Sequence, residues 1–130
     1  MGIVELIKSK PDLISYSPAS RDLILQAEEE LNLVFSKEYT EYLATLGIAV
    51  FEGHEFTGIC DGKRLDVIRN TMEQRKFNPS VPEEWYVIEC LNIDDIVIWQ
   101  NEQGEIFRTI PNKKGKKICS TLVEYINKEE

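Results

Sequence analysis

The sequence has few of the residues on which metal binding and cross-linking depend. Histidine occurs once, as His54, and the three cysteines Cys60, Cys90 and Cys119 are widely spaced with no Cys-x-x-Cys pair. A tetrahedral zinc site needs a cluster of such ligands, so we expect no metal site and no other cofactor. Isolated cysteines among apolar neighbours are typical of small buried residues in a reducing compartment, which predicts free thiols.

Long hydrophobic segments and targeting signals are also missing from the sequence. No apolar run approaches the roughly 20 residues that a membrane-spanning helix needs. Charged residues follow directly behind the short apolar stretch at the N-terminus, unlike the layout of a signal peptide. Leu6 stands where a myristoylation motif would have serine or threonine. A chain of 130 residues, 42% of them hydrophobic, is therefore predicted to form one cytoplasmic domain over residues 1–130, with no membrane partner.

Basic residues are absent from two long segments, and this distribution is more informative than the net charge of −8. Residues 77–107 contain seven acids and no lysine or arginine, and residues 38–62 contain five acids and again no base. A negative field repels nucleic acid and anionic membranes, and it accelerates encounter with basic proteins. The sequence therefore favours a basic protein partner. Acids that only keep the chain soluble would give the same pattern.

The residue types needed for catalysis do not occur in a recognisable arrangement. Cys60, His54 and Asp61 supply a nucleophile, a base and an acid within one segment. Residues six apart on a strand and turn have no reason to meet, however, so a surface histidine beside a core cysteine is the preferred interpretation. Gly58 and Gly62 lack the Lys-Ser/Thr of a phosphate-binding loop. The lysine cluster at 113–117 has no interleaved aromatic residues and is interpreted as a solvated loop. We predict that the chain is not an enzyme.

Residue spacing predicts helices in the first third of the chain. A short helix over 3–7 is followed by one that begins with Ser17 as its N-cap and has Leu23 on its apolar face. A third helix runs from a cap at Ser36 to a stop at Gly47. The second and third helices should form a hairpin with an apolar inner face. A further helix is predicted over 64–75, with Met72 facing inward.

The rest of the pattern indicates short strands and a closing helix. Strands are predicted at 48–51 and 56–59 around a turn at 52–55, and at 85–91, 96–99 and 106–110, the last two joined by a loop at 101–105. A basic loop at 112–117 and a helix over 118–127 complete the chain. The predicted fold class is α+β, with an N-terminal helical hairpin, a largely antiparallel meandering sheet and a C-terminal helix.

Acids beside an aromatic residue are the best candidates for contact with a basic partner. The predicted partner-binding residues are Glu52, Glu55, Glu83, Glu84, Trp85, Asp94 and Asp95. A position for Trp85 in the core is an equally good interpretation of the pattern. Trp99 is expected in the core.

The residues of the helical hairpin follow one order along the chain: Pro18-Ala19-Ser20, Ile24, Ala27-Glu28, Leu31, Leu33, Phe35, Tyr39, Tyr42-Leu43 and Gly47. This order resembles the opening motif of the SUKH superfamily, which includes bacterial immunity proteins and yeast regulators of cell-wall synthesis. The resemblance continues through residues 56–59, 96–98, 104–107 and 118–126. It departs at Phe35-Ser36, where the family usually has Leu-Pro.

The resemblance implies that the chain functions by binding a partner. Bacterial members of the superfamily typically neutralise a toxin, often a nuclease, that is encoded beside them. An immunity protein with a basic cognate toxin is therefore the leading hypothesis, and a non-enzymatic scaffold or regulatory module is the alternative. A hydrolase dependent on Cys60 or on an acidic pair is a third possibility. The motif residues are structural, so the resemblance transfers no binding residue, and the sequence leaves the oligomeric state open.

Overall fold

The computed structural model describes residues 2–128 and has five helices and two antiparallel sheets, which confirms the predicted α+β class. The elements are α1 (Ile3–Lys8), β1 (Ile14–Ser15), α2 (Arg21–Leu31), α3 (Lys37–Thr45), β2 (Ala49–Phe51), β3 (His54–Phe56), α4 (Val67–Phe77), β4 (Tyr86–Cys90), β5 (Val97–Gln100), β6 (Ile106–Thr109), β7 (Lys116–Cys119) and α5 (Leu122–Lys128). Over this range, no helix has both the length and the apolar character that crossing a membrane requires.

The start of α2 differs from the prediction. Ser20 is the N-cap, because its hydroxyl accepts a hydrogen bond from the Leu23 amide at 3.2 Å. Ser17 as N-cap was wrong, since the residues before Ser20 are held extended by α3: the Ala19 amide donates to the Leu43 carbonyl at 2.9 Å. Leu23 lies on the exposed side of α2 rather than on its apolar face.

The start and end of α3 agree with the prediction. The Ser36 hydroxyl accepts from the Tyr39 amide at 3.0 Å and caps the helix. Gly47 follows the last turn with a φ of +73°, and a Cβ on it would lie 2.1 Å from the Ser17 carbonyl oxygen. A Cβ on Gly58 would lie 1.9 Å from the Gly47 oxygen. The backbone at Gly47 therefore packs directly against the backbone at Ser17 and at Gly58, and such close contacts require glycine at positions 47 and 58.

The strands form two separate sheets, with the orders β1-β2-β3 and β4-β5-β6-β7. The turn between β2 and β3 contains only Glu52 and Gly53, both at positive φ, so the predicted four-residue turn at 52–55 was too long. His54 and Glu55 belong to β3 instead. Just after β3, the Thr57 amide donates to the Ile88 carbonyl in β4 at 2.8 Å and connects the two sheets.

The last third of the chain contains one more strand than predicted. Lys116 and Lys117 pair with Arg108 and Phe107 of β6, so the last two residues of the predicted basic loop belong to a strand. Its formation satisfies the backbone groups of the β6 edge, a tertiary requirement that the lysine-rich composition does not reveal. The helix predicted over 118–127 consequently begins only at Leu122.

The position of α4 is also shifted from the prediction. The helix runs from Val67 to Phe77 and is capped by the Asp66 carboxylate, which accepts from the Arg69 amide at 3.3 Å. Met72, predicted to face inward, is 43% exposed. Its neighbour Thr71 is buried instead, and the Thr71 hydroxyl accepts from the Val87 amide in β4 at 3.0 Å.

Three buried tyrosines connect the helices to the sheets. The Tyr42 hydroxyl accepts from the Ala49 amide at 3.0 Å and donates to the Thr57 carbonyl at 2.9 Å. The Tyr39 hydroxyl lies 2.9 Å from the Thr57 hydroxyl. The Tyr86 hydroxyl accepts from the amide of Ser36, the N-cap of α3, at 3.0 Å and donates to the Gln100 side-chain oxygen at 2.8 Å. Burial raises the pKa of all three hydroxyls, which therefore remain neutral hydrogen-bonding groups.

Candidate functional site

The predicted partner-binding acids occupy three places on the molecule. Glu52 and Glu55 lie in and beside the β2–β3 turn, Glu83 and Glu84 lie in the loop before β4, and Asp94 and Asp95 lie in the turn between β4 and β5. The second and third groups are at opposite ends of β4, a strand of 5 residues. At about 3.3 Å per residue, this places them roughly 17 Å apart along the strand, so the acids do not form one cluster.

Two of these acids have cationic partners. Glu52 lies 3.0 Å from the Lys10 ammonium group. Glu55 accepts two hydrogen bonds from the Arg64 guanidinium group, at 3.0 and 2.7 Å, and these bonds hold the pKa of the Glu55 carboxyl below its ordinary value. The charge of this pair of acids is therefore largely compensated within the protein.

The other four acids are exposed and have no ion pair within the described part of the chain. Asp94 and Asp95 are the two central residues of a tight turn, which the Ile96 amide closes by donating to the Ile93 carbonyl at 3.1 Å. Both aspartates have left-handed φ values, 54° and 55°, as such a turn requires. The turn therefore presents two uncompensated carboxylates and the exposed Ile93 to solvent.

Trp85 packs inside the protein. It is 9% exposed, and its ring stacks on Phe107 with the ring centroids 3.9 Å apart and an angle of 14° between the planes. The Trp99 ring lies 6.3 Å away, and the backbone of Gly115 packs against the far edge of the Trp85 indole. The Trp85 ring is therefore covered by the chain itself and is not available as an anchor for a partner.

A buried polar cluster joins three elements that the sequence does not connect. Glu89 on β4 is 2% exposed, and its Oε2 lies 2.8 Å from His54 Nδ1 and accepts from the Tyr125 hydroxyl at 2.5 Å. His54 is buried, so its predicted surface position was wrong. The signal that could have revealed the cluster is an acid in the middle of an apolar strand, since a buried carboxylate needs partners.

Cys60 and Cys90 show no sign of activation as nucleophiles. The Cys60 amide donates to the Asp66 carboxylate at 3.3 Å, and burial and the Asp66 charge raise the pKa of the Cys60 thiol. Burial and the Glu89 charge raise the pKa of Cys90 to about 11. A reactive cysteine needs the opposite shift. Within residues 2–128, no group of three or more His, Cys, Asp or Glu side chains could hold a metal ion.

Two open cavities lie side by side along the end of β4 and share Cys90, Leu91 and Asn92 in their walls. The first, of about 570 Å³, contains the buried cluster and is bordered by Glu52 and Glu55. The second, of about 730 Å³, is lined by residues of three segments: Gln74, Phe77, Asn78, Asp94, Asp95, Ile96, Val97, Pro111 and Asn112. The uncompensated aspartates therefore border a concave surface.

Comparison with known proteins identifies the family. A family model described as SMI1-KNR4 cell-wall, SUKH_5, matches residues 2–129. The chain belongs to the SUKH superfamily. The match covers every described element of this SUKH protein and confirms the resemblance seen in the helical hairpin. No curated protein matches the chain significantly. SUKH proteins are known as immunity proteins and are generally non-enzymatic.

Proposed function

We propose that the chain is a cytoplasmic immunity protein that binds a cognate toxin domain with a basic surface, a nuclease in the simplest case, and masks its active site. The observation that carries this proposal is the family match over residues 2–129. The acidic surface supports it, because the carboxylates of Glu83, Glu84, Asp94 and Asp95 form no ion pair within residues 2–128. The Arg75 guanidinium donates to the backbone carbonyl of Glu83 at 2.7 Å and not to its carboxylate. Uncompensated carboxylates contribute most to a field that attracts a basic protein.

The spacing of these acids fits one interface of ordinary size. A standard protein–protein interface buries about 800 Å² on each side, which corresponds to a patch about 30 Å across. The two acid pairs at the ends of β4 are closer together than this. Such charges at the edge of an interface increase the association rate, and apolar contacts between them reduce the dissociation rate. Glu52 and Glu55 would contribute less, because Lys10 and Arg64 compensate them.

The absence of enzymatic activity is part of the proposal. In the described chain, the one histidine and the buried Glu89 hydrogen-bond to each other, and Tyr125 takes the same carboxylate oxygen. The Cys60 and Cys90 thiols have raised pKa values and are protonated at neutral pH. These groups therefore do not provide a base and a nucleophile in contact with each other, as nucleophilic catalysis requires.

The test is co-expression of the chain with the toxin domain encoded next to it, with survival and complex formation as readouts. Reversing two acids in Glu83→Lys/Glu84→Lys should weaken binding about tenfold at low salt, chiefly through a slower association rate. The control is Glu29→Lys/Glu41→Lys, which makes the same charge change on exposed positions of α2 and α3. Cells that die although both proteins are soluble would reject the proposal, and equal weakening by both variants would reject the acids as contact residues.

A second candidate function is a non-enzymatic scaffold or regulatory module without a toxin. The description of the matching family, which refers to the cell wall, favours this alternative. A gene with no toxin-coding neighbour, together with capture of an endogenous protein that Glu83→Lys/Glu84→Lys fails to capture, would support it.

A further inference from the structure

Phe77 is the most exposed of the large hydrophobic side chains in the described chain, with 70% of its surface accessible at the C-terminal end of α4. It lies between two cavities and lines both. On one side, the cavity wall contains Asp94 and Asp95. On the other side, it contains Lys113 and Lys114. We call these five residues the Phe77 face.

The charged side chains of the Phe77 face are accessible to a partner. All four charged residues are exposed, and none makes an ion pair within residues 2–128. The acids and the lysines line different cavities that share Phe77, and no ion pair joins them within the described residues. Ile93, 66% exposed, precedes the two aspartates but lines the neighbouring cavity, so Phe77 is the exposed apolar group of this face. Exposed apolar side chains with charges around them are typical of protein–protein contact surfaces.

The order of charges across this face restricts the kind of partner. A partner with a uniformly basic surface would satisfy Asp94 and Asp95 and would be repelled by Lys113 and Lys114. A fully complementary partner has a cation opposite the two aspartates, an apolar group opposite Phe77 and an anion opposite the two lysines. A second copy of the same chain, rotated by 180° about an axis through Phe77, presents that order. Symmetric dimers form through such self-complementary patches.

We propose that the Phe77 face is the interface of a symmetric homodimer. The two Phe77 side chains contact each other at the centre, and the aspartates of each copy face the lysines of the other copy. This inference does not depend on the proposed toxin. Where both hold, dimerisation and toxin binding exclude each other at Asp94 and Asp95, because each occupies the same carboxylates.

The test is sedimentation equilibrium of the full chain at loading concentrations from about 5 to about 500 µM, since self-association follows mass action. We expect reversible dimerisation that weakens as salt is raised. Phe77→Ser should abolish it. Asp94→Asn/Asp95→Asn should weaken it about tenfold, from the loss of rim charge pairs at both ends of the interface. Asparagine is chosen because it tolerates the left-handed φ of both positions. The control is Glu29→Gln/Glu41→Gln, which removes the same charge elsewhere.

A charge-exchange experiment separates this interface from nonspecific association. Asp94→Lys/Asp95→Lys and Lys113→Glu/Lys114→Glu should each be monomeric alone, because like charges then face each other across the axis. Mixed in equal amounts, they should form a heterodimer, a result that strain from lysine at the two left-handed positions would not produce. A monomeric wild-type chain over the whole concentration range would overturn the proposal. A dimer that Phe77→Ser leaves intact would also overturn it, whether or not the variant still protects against the toxin.

Discussion

The carboxylate of Glu38 on α3 provides a sensitive test of how the C-terminal helix is held. Its Oε1 accepts from the Leu122 amide at 2.7 Å and from the Gln100 side chain at 3.0 Å, and its Oε2 accepts from the Val123 amide at 3.1 Å. Leu122 and Val123 are the first two residues of α5, whose amides have no partners inside the helix. One half-buried side chain therefore connects α3, β5 and α5.

Replacing this carboxylate in Glu38→Gln keeps the shape and removes the charge. The amide group of glutamine must place an NH₂ against one of the α5 amides, so one hydrogen bond is lost and the remaining ones become neutral. Hydrogen bonds to charged groups contribute roughly 1.5–3 kcal/mol and neutral ones about 1 kcal/mol, so we expect the free energy of unfolding to fall by about 2 kcal/mol. For a chain of 130 residues this corresponds to a decrease in Tm of roughly 7 °C.

The measurement is urea and thermal unfolding followed by circular dichroism at pH 7. The matched control is Glu41→Gln, one turn further along α3, where the side chain is exposed and the same change should cost less than about 0.5 kcal/mol. Amide hydrogen exchange in α5 should accelerate in Glu38→Gln before the rest of the chain is affected. Equal losses of stability for the two variants would show that Glu38 does not act as a cap for α5.

Three further predictions follow from single positions. Gly58→Ala should lower the free energy of unfolding by more than about 3 kcal/mol, because its Cβ would lie 1.9 Å from a backbone oxygen. Gly53→Ala, with open space around it, should lower that free energy by about 1 kcal/mol. Chemical denaturation compares the two variants. Arg64→Gln should raise the pKa of Glu55 toward its ordinary value, as measured by NMR titration. Because the ion pair with Arg64 lowers the pKa of Glu55, the pair stabilises the folded protein at neutral pH, and this stabilisation is lost as the pH falls through the folded-state pKa. Cys90, with a pKa of about 11, should react slowly with iodoacetamide at pH 8 and faster as the pH approaches 11; alkylation as fast as that of a free thiol would contradict this.

Features set by local chemistry could be predicted from the sequence. The cap at Ser36, the end of α3 at Gly47 and the loop at 101–105 each depend on residues a few positions apart, and each is present in the structure. The start of α2 could not be predicted in the same way. Ser17-Pro18 is a good local start signal, but the contact between Ala19 and α3 decides the backbone there, and the cap moves to Ser20.

The charges of the candidate site could be read from the sequence, but not their pairing. Lys10 lies next to Glu52 although 42 positions separate them, so the sequence does not reveal which acids are compensated. The buried contact between His54 and Glu89 is equally non-local. Trp85 follows two acids in the sequence, which left a surface and a core position equally plausible, and Phe107 on β6 decides for the core by stacking on its ring. In each case the deciding neighbour comes from a distant part of the chain.

The hydroxyl groups of Tyr39, Tyr42 and Tyr86 have a practical consequence for altering this protein. Because these hydroxyl groups link the helices to the sheets inside the core, the fold is stabilised by atoms that no binding partner can contact. Exposed positions with ordinary backbone angles can accordingly be exchanged in sets without destabilising the fold. A library randomised at such positions, with the turn residues at positive φ kept, should yield mostly folded molecules, so a new ligand could be targeted by redesigning the surface alone.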